Sequence, residues 1–212
     1  MATSERKDLS TVLHEVAYYI KGSMVGSLRA RLSGAESFGA SPTIVRGVKF
    51  EVESGGHLTV GDRFRASGAM AGTYIKVAPG ATLTMGDDVG INWGVSIEAW
   101  HEVRIGSNVL IASYASIIDD NRHLVQPDSV RYPGPVIIGN NVWLGRNVAV
   151  MPGVTIGDGS VIGANSVVTK DIPPKVFAAG APAKVIRKLE LPDGWVRHGQ
   201  PPAPAKGLPQ TV

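Results

Sequence analysis

IGNNVWLGRNVAVMPGVTIGDGSVIGANSVVTK, residues 138–170, decides the fold. Ile138, Leu144, Val150, Ile156, Ile162 and Val168 stand six apart, and a glycine directly follows Ile138, Leu144, Ile156 and Ile162. Val142, Val148 and Val154 make a second apolar column with the same step. A six-residue spacing drifts around a helix, and the many Gly and Asn residues are poor helix formers. A short strand plus a tight turn, by contrast, uses about six residues, and three such units return the chain to a position stacked on its start. The expected product is a triangular prism of parallel strands, with β-branched side chains filling a narrow interior and small residues turning the corners.

Upstream, the same step recurs in Ile105, Ile111 and Ile117 and in Met85, Ile91 and Ile97, accompanied by Val77, Leu83, Val89 and Val95. Shifts of phase between the blocks mark loops. The largest break is IIDDNRHLVQPDSVRYPGP, residues 117–135, which separates Ile117 from Ile138. The pattern is weak before Gly80. The coiled domain is expected over 43–190, preceded by a helical segment over 1–42 and followed by an extended or disordered arm over 191–212. In the first segment Leu9, Val12, Leu13, Val16, Ala17 and Ile20 fall at helical spacing, with Asp8 or Ser10 as N-cap and Gly22 as terminator. A second short helical stretch, Ser23 to Leu32, is expected to carry Lys21, Arg29 and Arg31 on its outer face, and the helix either packs on the end or side of the main domain or docks on an anionic membrane surface. The arm, LPDGWVRHGQPPAPAKGLPQTV, is Pro-rich and aperiodic.

Composition agrees with a turn-rich, aliphatic fold. The 212 residues include 26 Gly and only 6% aromatics, which disfavours a helical bundle. With no Cys, a thiol nucleophile, a cysteine zinc site and any disulfide are excluded. A net charge of +3 falls short of the clustered basic stripe of a nucleic-acid binder. Residues 9–32 carry Glu15, His14 and Lys21 among their apolar positions, so neither a signal-peptide centre nor a membrane span is expected there. The default expectation is a cytoplasmic protein, with peripheral contact at the inner face of the membrane as the alternative. The five His, at 14, 57, 101, 123 and 198, are too scattered for a metal-ligand set, so no metal is expected.

Residues 138–174, together with AAGAPAKVIRKL at 178–189, resemble the hexapeptide-repeat O-acetyltransferases, with the maltose, galactoside, nodulation and polysaccharide-modifying enzymes nearest in feel. The resemblance implies an all-β, left-handed parallel β-helix. It further implies a homotrimer with each active site between neighbouring subunits, and acetyl-CoA as co-substrate. Acetyl transfer to a hydroxyl needs a base, a donor for the oxyanion and a groove for coenzyme A. The family's base is a His in the loop corresponding to 117–135, which makes His123 the expected general base. Asp119 either orients its imidazole or caps a turn. His101 is the alternative base.

No Ser lies in a recognisable nucleophile motif, so direct attack by the acceptor on the thioester is expected rather than an acyl-enzyme. The oxyanion donor is expected to be a backbone N–H at the corner after Trp143, near Gly145 and Arg146. On the donor side, Trp143 matches the aromatic beside the pantetheine arm and Ala164 the corner whose backbone hydrogen-bonds it. Lys170, Lys184 and Arg187 match basic positions that contact the nucleotide phosphates. Asn92 aligns with a polar acceptor contact of the galactoside-type enzymes, or is an Asn in left-handed conformation at a coil corner. Trp93, Trp100 and His101 make either a sugar-stacking wall or a subunit contact. Arg146 stands where many relatives have a small residue. The resulting expectation is an acetyl-CoA-dependent O-acetyltransferase acting on a saccharide. The alternatives are a xenobiotic or amino-sugar acetyltransferase of the same fold and a non-catalytic β-helix scaffold.

Overall fold

The computed structural model describes residues 36–124 and 133–197. The helix expected over 9–32 and the arm beyond 197 lie outside them. Within them the chain winds six coils of three short strands each. The first coil is β1 (Ser37–Phe38), β2 (Thr43–Ile44) and β3 (Val48–Val52), and the second is β4 (His57–Val60), β5 (Arg65–Ala66) and β6 (Thr73–Val77). The third is β7 (Thr82–Met85), β8 (Gly90–Ile91) and β9 (Ser96–Ala99), and the fourth β10 (Glu102–Ile105), β11 (Leu110–Ile111) and β12 (Ser116–Ile118). The fifth is β13 (Val136–Ile138), β14 (Trp143–Leu144) and β15 (Ala149–Val150), and the sixth β16 (Thr155–Ile156), β17 (Val161–Ile162) and β18 (Val167–Val168). Coiling thus starts at Ser37, ahead of residue 43.

Corresponding strands stack into three parallel faces. Face one is β1-β4-β7-β10-β13-β16, face two starts β2-β5-β8-β11-β14-β17, and face three is β3-β6-β9-β12-β15-β18. The register confirms the sequence arithmetic: Ile138 stands beside Ile156, Leu144 beside Ile162 and Val150 beside Val168, each three six-residue steps on. These side chains are buried, with Val89, Val109, Val142, Val148 and Val154 between them. At the first end the interior is aromatic. Phe38, Phe50 and Phe64 meet edge-on or tilted at 5.7–6.3 Å between ring centroids and close the bottom of the prism.

The edge between faces one and two explains its own sequence. Asp62, Asp87, Ser107, Asn140 and Asp158 occupy one turn position in successive coils. The backbone N–H of each member donates to the side chain of the next: Asp62 to Asp87, Asp87 to Ser107, Ser107 to Asn140 and Asn140 to Asp158, at 2.7–3.1 Å. The residue after each adopts positive φ in Asp88, Asn108 and Asn141, a region Asn and Asp tolerate. At the far end β19 (Val176–Gly180) joins face two in parallel, and β20 (Ala183–Lys188) folds back on it antiparallel. Residues 191–197, expected to belong to the loose arm, are tied to the prism at their end. Arg197 donates from its guanidinium to the carbonyls of Asn141 and Gly159, and its N–H donates to Asn141 Oδ1 at 2.8 Å.

Candidate functional site

Phase shifts in the repeat gather on one edge, where face three turns into face one. Coil three bulges there at Trp100–His101, and coil four releases the segment 119–135. Asp119 is fully buried at its root. Its carboxylate accepts the N–H groups of Trp100 (2.8 Å), His101 (2.8 Å) and Glu102 (2.6 Å). Of the two roles expected for Asp119, turn cap is the one realised; it does not orient His123. On this edge it is His101 that meets a carboxylate, its Nε2 lying 3.1 Å from Oδ2 of buried Asp120. Asp120 Oδ1 also accepts the N–H of Arg122 at 2.7 Å, shaping the turn that leads to exposed His123. Trp100 lies between Lys76 (4.7 Å) and the Arg122 guanidinium (4.0 Å). Trp93 belongs to a different edge, so the two tryptophans do not form one wall.

Face two and its edge with face three carry the remaining candidates in vertical order. In the outward-pointing column, Arg65, Gly90, Leu110, Trp143, Val161 and Phe177 are successive register partners, and Arg187 on β20 stands beside Phe177. Trp143 is 43% exposed. Below it a cleft of about 290 Å³ is lined by Arg65, Gly90, Asn92, Leu110, Ile111 and Trp143, among others. Asn92 Oδ1 accepts the Trp93 N–H at 2.8 Å, and it is Gly94, not Asn92, that takes positive φ at this corner.

At the corner after Trp143, the Gly145 N–H donates to Ile162 O at 2.8 Å and is not free for an oxyanion, which corrects the expectation for that residue. A Cβ on Gly145 would come within 2.7 Å of Ala164 N and Ile162 O, so the close coil approach explains this glycine. Among the described residues the N–H groups of Arg146 and of exposed Ala164 donate to no backbone carbonyl. The Arg146 guanidinium sits 5.0 Å from the Tyr114 ring centroid, a cation–π contact that accounts for a residue the repeat did not explain.

Lys184, opposite Ala179, and Arg187, whose guanidinium lies 5.9 Å from the Phe177 ring, top the same face. Lys170 belongs to the last coil too, but lies on the edge between faces three and one. Within one chain the predicted residues therefore fall into two groups on opposite sides of the prism. Asn92, Trp143, Ala164, Lys184 and Arg187 lie on or beside face two, and His101, Asp119, His123 and Lys170 lie on the facing edge. Among the described residues, no three or more His, Cys, Asp or Glu converge as a metal site. Arg65 was not singled out from the sequence; a lone Arg one position before a buried Ala carries no signal of its own.

The family described as bacterial transferase hexapeptide (six repeats) matches residues 135–170. Galactoside O-acetyltransferase of Escherichia coli (strain K12) is 45% identical over 113 residues, which cover 52% of this chain and 56% of that protein. The chain spans about half the length of the curated relatives it matches. Among solved structures, the polySia specific acetyltransferase NeuO is 25% identical, with a TM-score of 0.57 over 80% of this chain and 91% of its own. For fold alone, an S84T mutant of the N-acyltransferase AntD from Bacillus cereus aligns with a TM-score of 0.62 at 18% identity, over 76% of this chain and 87% of its own. In its repeat over residues 135–170, in its stacked coils and in the relatives it matches, the chain is similar to hexapeptide-repeat acetyltransferases.

Proposed function

We propose that this protein is an acetyl-CoA-dependent O-acetyltransferase acting on a saccharide hydroxyl, with each site shared between neighbours in a homotrimer. One observation carries the reading: the two groups of candidate residues lie on opposite sides of one prism but at the same height. The His101–His123 edge leaves coils three and four, and the cleft spans coils two to five. Prisms side by side with parallel axes, related by a closed threefold ring, set the histidine edge of one subunit against face two of the next.

Along face two the donor has an ordered path. Lys184 and Arg187 at the top suit the nucleotide phosphates, the Ala164 N–H can bond the pantetheine arm, and Trp143 packs beside the thioester end. Rungs are about 4.8 Å apart, so the three rungs from Trp143 to β20 span roughly 14 Å. The acceptor enters below, beside Asn92. His123, from the facing edge, takes the hydroxyl proton as the oxygen attacks the thioester carbonyl carbon. The C–S bond then breaks, and the imidazolium returns its proton to the departing thiolate of coenzyme A. The Arg146 N–H, which donates to no backbone carbonyl among the described residues, is the donor this reading assigns to the oxyanion.

A second reading of the base has its own observation. His101 is held by the buried Asp120 carboxylate, an arrangement that fixes the orientation and tautomer of the ring. His123 keeps the main role because it is exposed just beyond the end of coil four.

Incubation of the full chain with acetyl-CoA and a panel of mono- and oligosaccharides, read by mass spectrometry, tests the reading. It expects an acetylated product whose ester is cleaved by mild alkali. An alkali-stable amide, or acetyl-CoA binding with no product from any acceptor, would refute O-acetyl transfer to these sugars.

A further inference from the structure

The lowest member of the face-two cleft is Arg65, and its environment differs from that of other arginines in the coils. Arg63, two residues earlier, donates from Nε and a terminal nitrogen to Asp88 at 2.6–3.0 Å. Arg104 is bonded to Glu102, and Arg197 to two carbonyls. Arg65 has a terminal guanidinium nitrogen that is buried and makes no hydrogen bond among the described residues. The cleft beside it contains no acidic side chain. Its register partner on the rung above is Gly90, which places no side chain between the guanidinium and Leu110.

A guanidinium donor taken out of water without an acceptor costs about 1–3 kcal/mol or more; this nitrogen is shielded in the unliganded chain, and because Arg65 lines the cleft a turn of its terminal torsions would bring it to a partner there. The apolar wall of Ile91, Leu110 and Ile111 makes a two-oxygen anion a better partner than water, because Arg presents a planar fork matched to carboxylate or phosphate. We infer that Arg65 is an acceptor-specificity residue: it receives an anionic group, a carboxylate in first place, carried by the sugar whose hydroxyl is acetylated. This inference rests on the acetyl-transfer reading of the same cleft and names its substrate class. The vertical order fits. Arg65 lies three rungs below Trp143, roughly 14 Å, and Asn92 lies between, which leaves room for a sugar ring spanning from the thioester to the anion site. A cleft of about 290 Å³ is near the lower limit of small-molecule sites, suited to one anionic sugar residue at a time.

The test separates binding from turnover. Methyl β-glucuronide, methyl β-glucoside and methyl β-glucoside 6-phosphate are titrated by NMR chemical shifts into the full-length protein without acetyl-CoA. Wild type, Arg65→Met and Arg65→Lys are compared, and thermal melting and sedimentation confirm that each variant folds and assembles as the parent does. The expected result is a glucuronide preference over the glucoside of roughly 10–100-fold in wild type, lost in Arg65→Met and partly kept in Arg65→Lys. Stronger binding of the 6-phosphate than of the glucuronide would overturn the carboxylate assignment. Equal affinity for glucuronide and glucoside, or a preference unchanged in Arg65→Met, would overturn the inference as a whole. An Arg65-dependent preference without acetyl transfer would sustain the anion site and refute the transferase reading. Transfer to neutral sugars with no role for Arg65 would do the reverse.

Discussion

Two variants, each disabled on one side of the prism, should restore activity to one another. His123→Ala removes the base from the edge between faces three and one, and Asn92→Ala/Trp143→Ala empties the cleft on face two. If each site takes its base from one subunit and its cleft from the next, a site works when the base donor is the cleft variant and the cleft donor is the base variant. At equal, random mixing in a closed ring that condition holds for about a quarter of all sites, and each mixed trimer has one working site in three, so mixed trimers should recover about a third of the wild-type rate. Co-expression with two tags, tandem purification and thiol release from acetyl-CoA with the best acceptor make the assay. Tandem purification discards the unmixed trimers, so the fraction assayed is that of the mixed ones. A rate no higher than the sum of the two variants alone, in trimers shown to contain both, would refute the shared site.

Further outcomes follow from the packing. Phe64→Ala opens the aromatic base of the prism and should cost about 3–5 kcal/mol in a urea melt; a loss under 1 kcal/mol would mean that the three rings do not anchor the first coils. Asp119→Asn leaves one oxygen where two now accept three N–H groups, and should destabilise the protein by about 1–3 kcal/mol. If Asp119 is a turn cap, the surviving folded fraction should titrate in kcat/KM as the parent does; an altered pH profile would return the residue to the reaction. Hydrogen bonds from Lys49, then Tyr74 and Lys76, hold the Glu51 carboxyl down at about 2, below its ordinary 4.5. A depressed carboxylate stabilises the fold above its unfolded pKa, and the contribution fades as pH falls toward the folded value. The stability gap between wild type and Glu51→Gln should therefore be full at neutral pH and shrink between about pH 5 and 2; a gap that widens in acid would contradict the sign.

The legible part of the sequence was the part in which one coil equals three equal steps. From Ile138 to Val168 no residue is inserted, so the interior column could be read directly. Earlier coils were harder because Val60 pairs with Met85 across a longer path than three steps, and because Phe38, Phe50 and Phe64 replace the aliphatic column. The first strand, Ser37–Phe38, fell outside the expected 43–190 for that reason. At the site, residue type and motif identified His123, Trp143, Ala164, Lys184 and Arg187 as candidates. They gave no indication that His123 and Trp143 lie on opposite sides of a single prism. Roles that depend on neighbours distant in sequence were also hidden. Asp119 capping residues 100–102, Asp120 meeting His101 and Arg146 covering Tyr114 are all contacts between coils, and spacing within one coil does not encode them.

Acceptor-dependent release of coenzyme A by wild type and His123→Ala, with acetyl-CoA saturating and a no-acceptor control, is the most direct test of the central claim. The account predicts a fall of roughly a hundredfold or more in kcat with little change in acetyl-CoA affinity, as expected when a general base is lost from an intact donor site. Full acceptor-dependent turnover in His123→Ala would contradict it.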